Sequence, residues 1–191
     1  MRAYHNQIVE NAVSYIAKRY YEAFNEPINQ MRMYKILSLF DYACVVQIGR
    51  PCTEFTYLAL QKGPVPNELY NGDESIYSSF VTKRFDVNGK TFKYYFSVIE
   101  PDMDYFSDTE KKILDSIISE FIEKNLTTDQ ASDLTHKKIK AWKKAWERKP
   151  NSKMSYSDEF DDIFSKDRDN LTPQEEYFLI YNETSQCTNT R

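Results

Sequence analysis

The chain predicts a mainly α-helical α+β fold, a helical domain with a small antiparallel β-sheet. Three observations carry this. Apolar residues recur at helical spacing over several capped segments. One stretch, residues 81–98, switches to period two around Asn88-Gly89. Between helices and hairpin lies a turn-rich stretch, residues 48–70, that holds Gly49, Pro51, Gly63, Pro64 and Pro66.

The first helix is expected over residues 7–24, with Ile8, Ala12, Tyr15, Ile16 and Arg19 or Tyr20 on one face. Glu26-Pro27 ends it, because the residue before proline is pushed out of the helical region. The second is expected over residues 29–47, capped by Asn29, with Met33, Ile36, Leu37, Phe40 and Cys44 as its apolar stripe. Gly49 is placed to take the left-handed position that closes it. A strand near residues 56–61 follows. Residues 62–66 break it, and residues 67–70 restart as a short helix behind Pro66.

Asn88-Gly89 suits a type I′ turn. A two-residue loop there opposes Val87 to Lys90, Phe85 to Phe92, Lys83 to Tyr94 and Val81 to Phe96, with Phe85, Phe92, Val81 and Phe96 on one face. A lone hairpin is marginal, and the run 57–60 is the expected third strand. Ser107 with Glu110 and Thr127 with Gln130 are capping boxes that open two further helices. A lysine-rich helix over residues 138–148 carries Trp142 and Trp146 and stops at Pro150. Residues 151–170 are polar and acidic. Thr172-Pro173-Gln174-Glu175 then starts a last helix, expected to end near Glu183, with residues 185–191 fraying. Residues 1–149 thus read as the main domain. Residues 150–191 read as an acidic linker plus C-terminal helix that packs on or beside it.

The totals exclude several classes. With 41% hydrophobic and 15% aromatic residues the chain is too apolar for disorder. A net charge of −4 gives no whole-chain attraction to nucleic acid. No run approaches the roughly 18 apolar residues of a membrane span, and the N-terminus lacks a signal peptide's apolar core, so the cytoplasm is expected. Cys44, Cys52 and Cys187 have neither disulfide-framework nor zinc spacing, and Cys44 is expected as a small buried residue. No phosphate-binding glycine loop or nucleophile elbow occurs. No enzyme activity, metal or cofactor is therefore expected. Of the two histidines, His136 is read as packing or hydrogen-bonding near Trp142. Lys137, Lys138, Lys140, Lys143, Lys144 and Arg148 form a basic patch. It is read as a solvated face, docking the acidic segment around residues 158–162, or as a phosphate-contacting surface.

Taken in order, Lys35-Ile36-Leu37, Gly49-Arg50-Pro51, Tyr57-Leu58-Ala59-Leu60 and Gly63-Pro64-Val65-Pro66 with Tyr70 resemble the Panacea domain. So do the Ser107–Glu110 box and Thr135-His136 with Trp142. This is also called the SocA-like antitoxin or phage-associated protein family. The resemblance covers about residues 30–146. It implies a helical domain with a small sheet, found in prophages and mobile elements. The implied role is that of an antitoxin that binds and neutralises a co-encoded toxin protein. Gly49, Arg50, Pro51, Gly63, Pro64, Val65, Pro66, Tyr70, His136 and Trp142 are its signature positions, expected to hold the fold first and to touch a partner second.

Overall fold

The computed structural model describes residues 4–188, without the side chains of Val87 and residues 186–188. Helix α1 (His5–Phe24) leads through a two-residue strand β1 (Ile28–Asn29) into α2 (Gln30–Ile48). Helix α2 is the centre of the molecule. Twelve of its side chains are buried, including Tyr34, Lys35, Asp41 and Tyr42 as well as the predicted stripe. Helix α1, the helix α4 (Asp108–Glu123), α5 (Thr128–Lys138) and α7 (Pro173–Thr188) all pack against it. Its ends are as the sequence predicts. The Asn29 side chain accepts the Arg32 N–H at 3.0 Å, and Gly49 follows at φ +76°. Cys44 and Cys52 are buried.

The expected three-stranded sheet is corrected in one respect. Strands β4 (Phe80–Val87) and β5 (Lys90–Ser97) pair in the predicted register, with Asn88 and Gly89 both at positive φ. The third strand, however, is β1, which pairs Ile28 with Tyr95 and Asn29 with Tyr94. The run expected there, β2 (Tyr57–Leu60), instead turns back on β3 (Gly63–Pro66) in a separate two-stranded sheet. The prolines that read as breakers fit this ladder. The Asn67 N–H donates to the Thr56 carbonyl at 2.8 Å. Period two then leaves Pro64 and Pro66 at positions whose N–H would not face β2. The short helix α3 (Asn67–Tyr70) follows.

The outer edge of β2 is covered by the chain beyond Pro150. The Ala59 N–H donates to Ser152, while Asn151 and Met154 N–H groups donate to Ala59 and Tyr57, all at 2.9–3.0 Å. A second departure concerns the start of the lysine-rich helix expected from residue 138, because α5 runs through Thr135-His136 to Lys138. Extended backbone at the buried Ile139 separates it from α6 (Lys140–Arg148). Both predicted capping boxes form, and Thr172 with Glu175 makes a third. Helix α7 continues past the expected end near Glu183 to Thr188. Of the segment expected to fray, 189–191 lie outside the described residues.

Candidate functional site

Six of the signature residues, Gly63, Pro64, Val65, Pro66, His136 and Trp142, gather at a buried polar knot where α2, β3, α5 and α6 meet. Lys35 is fully buried on α2, and its Nζ donates to the Pro64 carbonyl at 2.9 Å. Gly63 lies at φ +94° directly over it. A Cβ there would stand 2.7 Å from Thr135 Oγ1 and 3.1 Å from Lys35 Nζ. The Thr135 hydroxyl donates to the Ser132 carbonyl at 2.7 Å. Trp142 Nε1 donates to the Leu60 carbonyl at 3.0 Å, which ties α6 to the β2–β3 turn. His136 stacks on Trp142 with ring centroids 3.7 Å apart, as expected from its sequence position, and Trp142 stacks on Trp146. Val65 and Pro66 are buried beside the knot, but Tyr70 stands half exposed at the end of α3, away from it.

The knot's electrostatics are set by burial. Desolvation lowers the Lys35 ammonium to about pH 7, and no carboxylate among the described residues offsets it. His136 is lowered by burial and by the neighbouring Lys35 charge, and its buried Nε2 has no hydrogen-bond partner. These groups hold elements together and offer no nucleophile–base pair. Among the described residues no cluster of His, Cys, Asp or Glu could hold a metal ion.

The Lys35 assignment has a measurable sign. In the fold Lys35 releases its proton near pH 7, against 10.5 in the unfolded chain. Between those values the unfolded chain binds more protons, so this group makes stability rise with pH, by up to about 1.4 kcal/mol per pH unit. Urea midpoints are expected to climb from pH 7.5 to 9.5. Lys35→Met is expected to flatten that rise, and parallel profiles for the two proteins would contradict the assignment.

A second buried polar group on α2 had no counterpart among the sequence candidates. Asp41 is fully buried and accepts from the Cys52 and Thr53 N–H groups at 3.0 and 2.7 Å, from the Thr53 hydroxyl and from the Tyr57 hydroxyl at 3.0 Å. Arg50 reaches the buried Glu110 of α4 at 3.1 Å. The same glutamate forms the Ser107 capping box. Gly49 does more than end α2. A Cβ on it would meet Gln174 O and Tyr177 Cβ at 2.6 Å, so α7 packs directly on the glycine. Pro51 is buried beside this joint.

The basic patch is divided among partners. Lys140 and Lys144 each reach Asp161 at 3.3 Å, and Arg148 reaches Asp158 at 2.9 Å. Glu159 accepts the Ala141 N–H at 2.9 Å, at the N-terminus of α6. Lys138 turns the other way, to Glu120 of α4 at 2.6 Å. Lys137 and Lys143 are exposed. The docking of the acidic segment on α6 is thus present, and it occupies much of the surface a phosphate backbone would need.

Most of the signature residues thus lie at internal joints of a mainly helical α+β domain. A family model described as antitoxin SocA-like, Panacea domain, matches residues 33–143, more than half of the chain, and the chain belongs to that family. A search of curated proteins and a search of solved structures each found no match. No helix among the described residues is long and apolar enough to cross a membrane.

Proposed function

We propose that the chain is an antitoxin that neutralises a toxin encoded beside it by direct, stoichiometric protein–protein binding. The family match over residues 33–143 carries this reading. The buried knot supports it, because residues devoted to packing leave the outer surface as the place where a partner is met. Residues 1–149 act in this reading as the domain, with residues 150–191 as an extension held to β2 and α6. Binding to nucleic acid through α6 is disfavoured by the ion pairs that Lys140, Lys144 and Arg148 already make.

The test is co-expression with the adjoining gene. Induction of that gene alone is expected to arrest growth, and co-expression of this chain to restore it with the two proteins co-purifying. Continued arrest in the presence of ample folded chain would end the proposal.

A further inference from the structure

The hairpin presents its more apolar face outward. The inner face, packed on α1 and α2, carries Phe80 and Tyr95 but also Lys93, which pairs with Glu74 at 2.5 Å. The outer face carries Val81, Lys83 and Phe85 on β4 and Lys90, Phe92, Tyr94 and Phe96 on β5. Val81, Phe85 and Phe92 remain 41–46% exposed. From Lys83 to Phe92 the described residues are exposed whichever way they point, so this part of the hairpin is an arm projecting beyond the core. Aromatic and β-branched residues on a half-buried sheet are ordinarily turned inward, and contiguous exposed apolar surface of this kind marks interaction sites.

The charge on this face is one-sided. Among its described residues there is no carboxylate, and Asp86 lies on the opposite face. Lys83 sits 5.2 Å from the centre of the Phe96 ring, and neither Lys83 nor Lys90 is in an ion pair with a described residue. The chain as a whole is at −4. The apolar surface continues past Phe96 into a groove of about 510 Å³ between α1 and β5, where Lys18 pairs with both Glu22 and Glu100 and which Tyr21, Val98 and Ile99 also line. Each of these three is at least half exposed.

We infer that the outer face of the hairpin arm, with the adjoining α1–β5 groove, is the surface that docks the toxin. We further infer that the matching toxin surface is an apolar patch rimmed by carboxylates. This rests on the antitoxin reading and names the surface it uses. An apolar centre supplies the buried area, and acidic groups on the partner answer Lys83 and Lys90 and steer the encounter. A second copy of this chain is the poorer occupant, because the arm's outer face has no carboxylate among its described residues and the groove's Glu22 and Glu100 are already paired with Lys18, so a self-pairing would bring like charges together. A nucleic acid is poorer too, since two cations release few counterions from a phosphate backbone.

The experiment is calorimetric titration of the full chain with the purified product of the adjoining toxin gene in an inactivated form. Wild type is expected to bind. Phe85→Ser with Phe92→Ser is expected to weaken binding at least tenfold. Lys83→Glu with Lys90→Glu, a change confined to exposed side chains, is expected to weaken it comparably, with melting temperatures close to wild type. Binding by both variants within twofold of wild type would overturn the arm assignment while leaving the antitoxin reading intact. If wild type itself does not bind, both fall. The arm assignment is also overturned if the variants lose only self-association or affinity for a single-stranded oligonucleotide while holding the toxin normally.

Discussion

Gly63→Ala is expected to destabilise the protein by about 2–5 kcal/mol, the cost of combining an overpacked core position with a left-handed backbone. At φ +94° an L-residue is strained whatever the space around it. The space is also taken. The added methyl would stand 2.7 Å from Thr135 Oγ1, whose hydroxyl is held by Ser132, and close to Lys35 Nζ, which is held by the Pro64 carbonyl. To make room, β3 must lift from α5, or Lys35 must give up its one hydrogen bond while still buried. A buried Lys35 amino group left without a partner is the more costly outcome. Chemical denaturation would register the loss as a lower midpoint, and native-state hydrogen exchange would register it as weaker protection in β2 and β3. Serine at this position is expected to behave like alanine, and a midpoint equal to wild type would show that the β2–β3 turn is not clamped by Thr135 and Lys35.

Much of this joint was legible in the sequence because it is built from residues with few backbone choices. Gly63, Pro64 and Pro66 announce a corner, and the hairpin register follows because Asn88-Gly89 and the alternation on either side demand the same pairing. What the alternation does not encode is which face is covered. Lys93 reads as a solvent-facing strand residue, yet Glu74 in a distant turn makes its burial tolerable, and Phe85 and Phe92 are left outside. The third strand was illegible for a simpler reason: Ile28–Asn29 is two residues long and has no period to detect. The covering of β2 by residues 151–154 uses main-chain groups, to which the side-chain pattern is silent.

The buried charges on α2 left a usable signal that the apolar stripe obscured. This helix is apolar on nearly every side, which marks it as enclosed all round. In such a helix Lys35 and Asp41 have no solvent face to occupy, so each must be buried with partners. The sequence does not name those partners. Pro64 lies 29 positions from Lys35, and Tyr156, whose hydroxyl is 3.4 Å from Asp41, lies 115 positions away. The rings of Tyr42, Tyr57 and Tyr156 pack against one another around this second knot. The extension after Pro150 therefore contributes a ring and a hydroxyl to a site centred on α2.

Asp41→Ala is expected to be as damaging as the glycine substitution, at about 3–5 kcal/mol, the range for removing one partner from a buried charged network. Two N–H groups and the hydroxyls of Thr53 and Tyr57 would lose their common acceptor in a site closed to water. Asp41→Asn separates the charge from the acceptor. It keeps one oxygen but turns an NH₂ toward donors, so an intermediate loss is expected. The two variants also remove a pH dependence whose sign follows from burial. Desolvation outweighs the hydrogen bonds donated to it and raises the Asp41 carboxyl from 3.8 to about 6. Between those values the folded protein binds the extra proton, so this group makes folding most favourable below pH 4. Its contribution is lost as the pH rises through about 6, with a slope of at most about 1.4 kcal/mol per unit. Denaturation midpoints taken at pH 4.5, 5.5 and 6.5 should therefore fall more steeply for wild type than for Asp41→Asn. A wild-type profile no steeper than that of the variant would mean that the carboxyl ionises in the fold as it does in the unfolded chain, and that its donors rather than its burial govern the site.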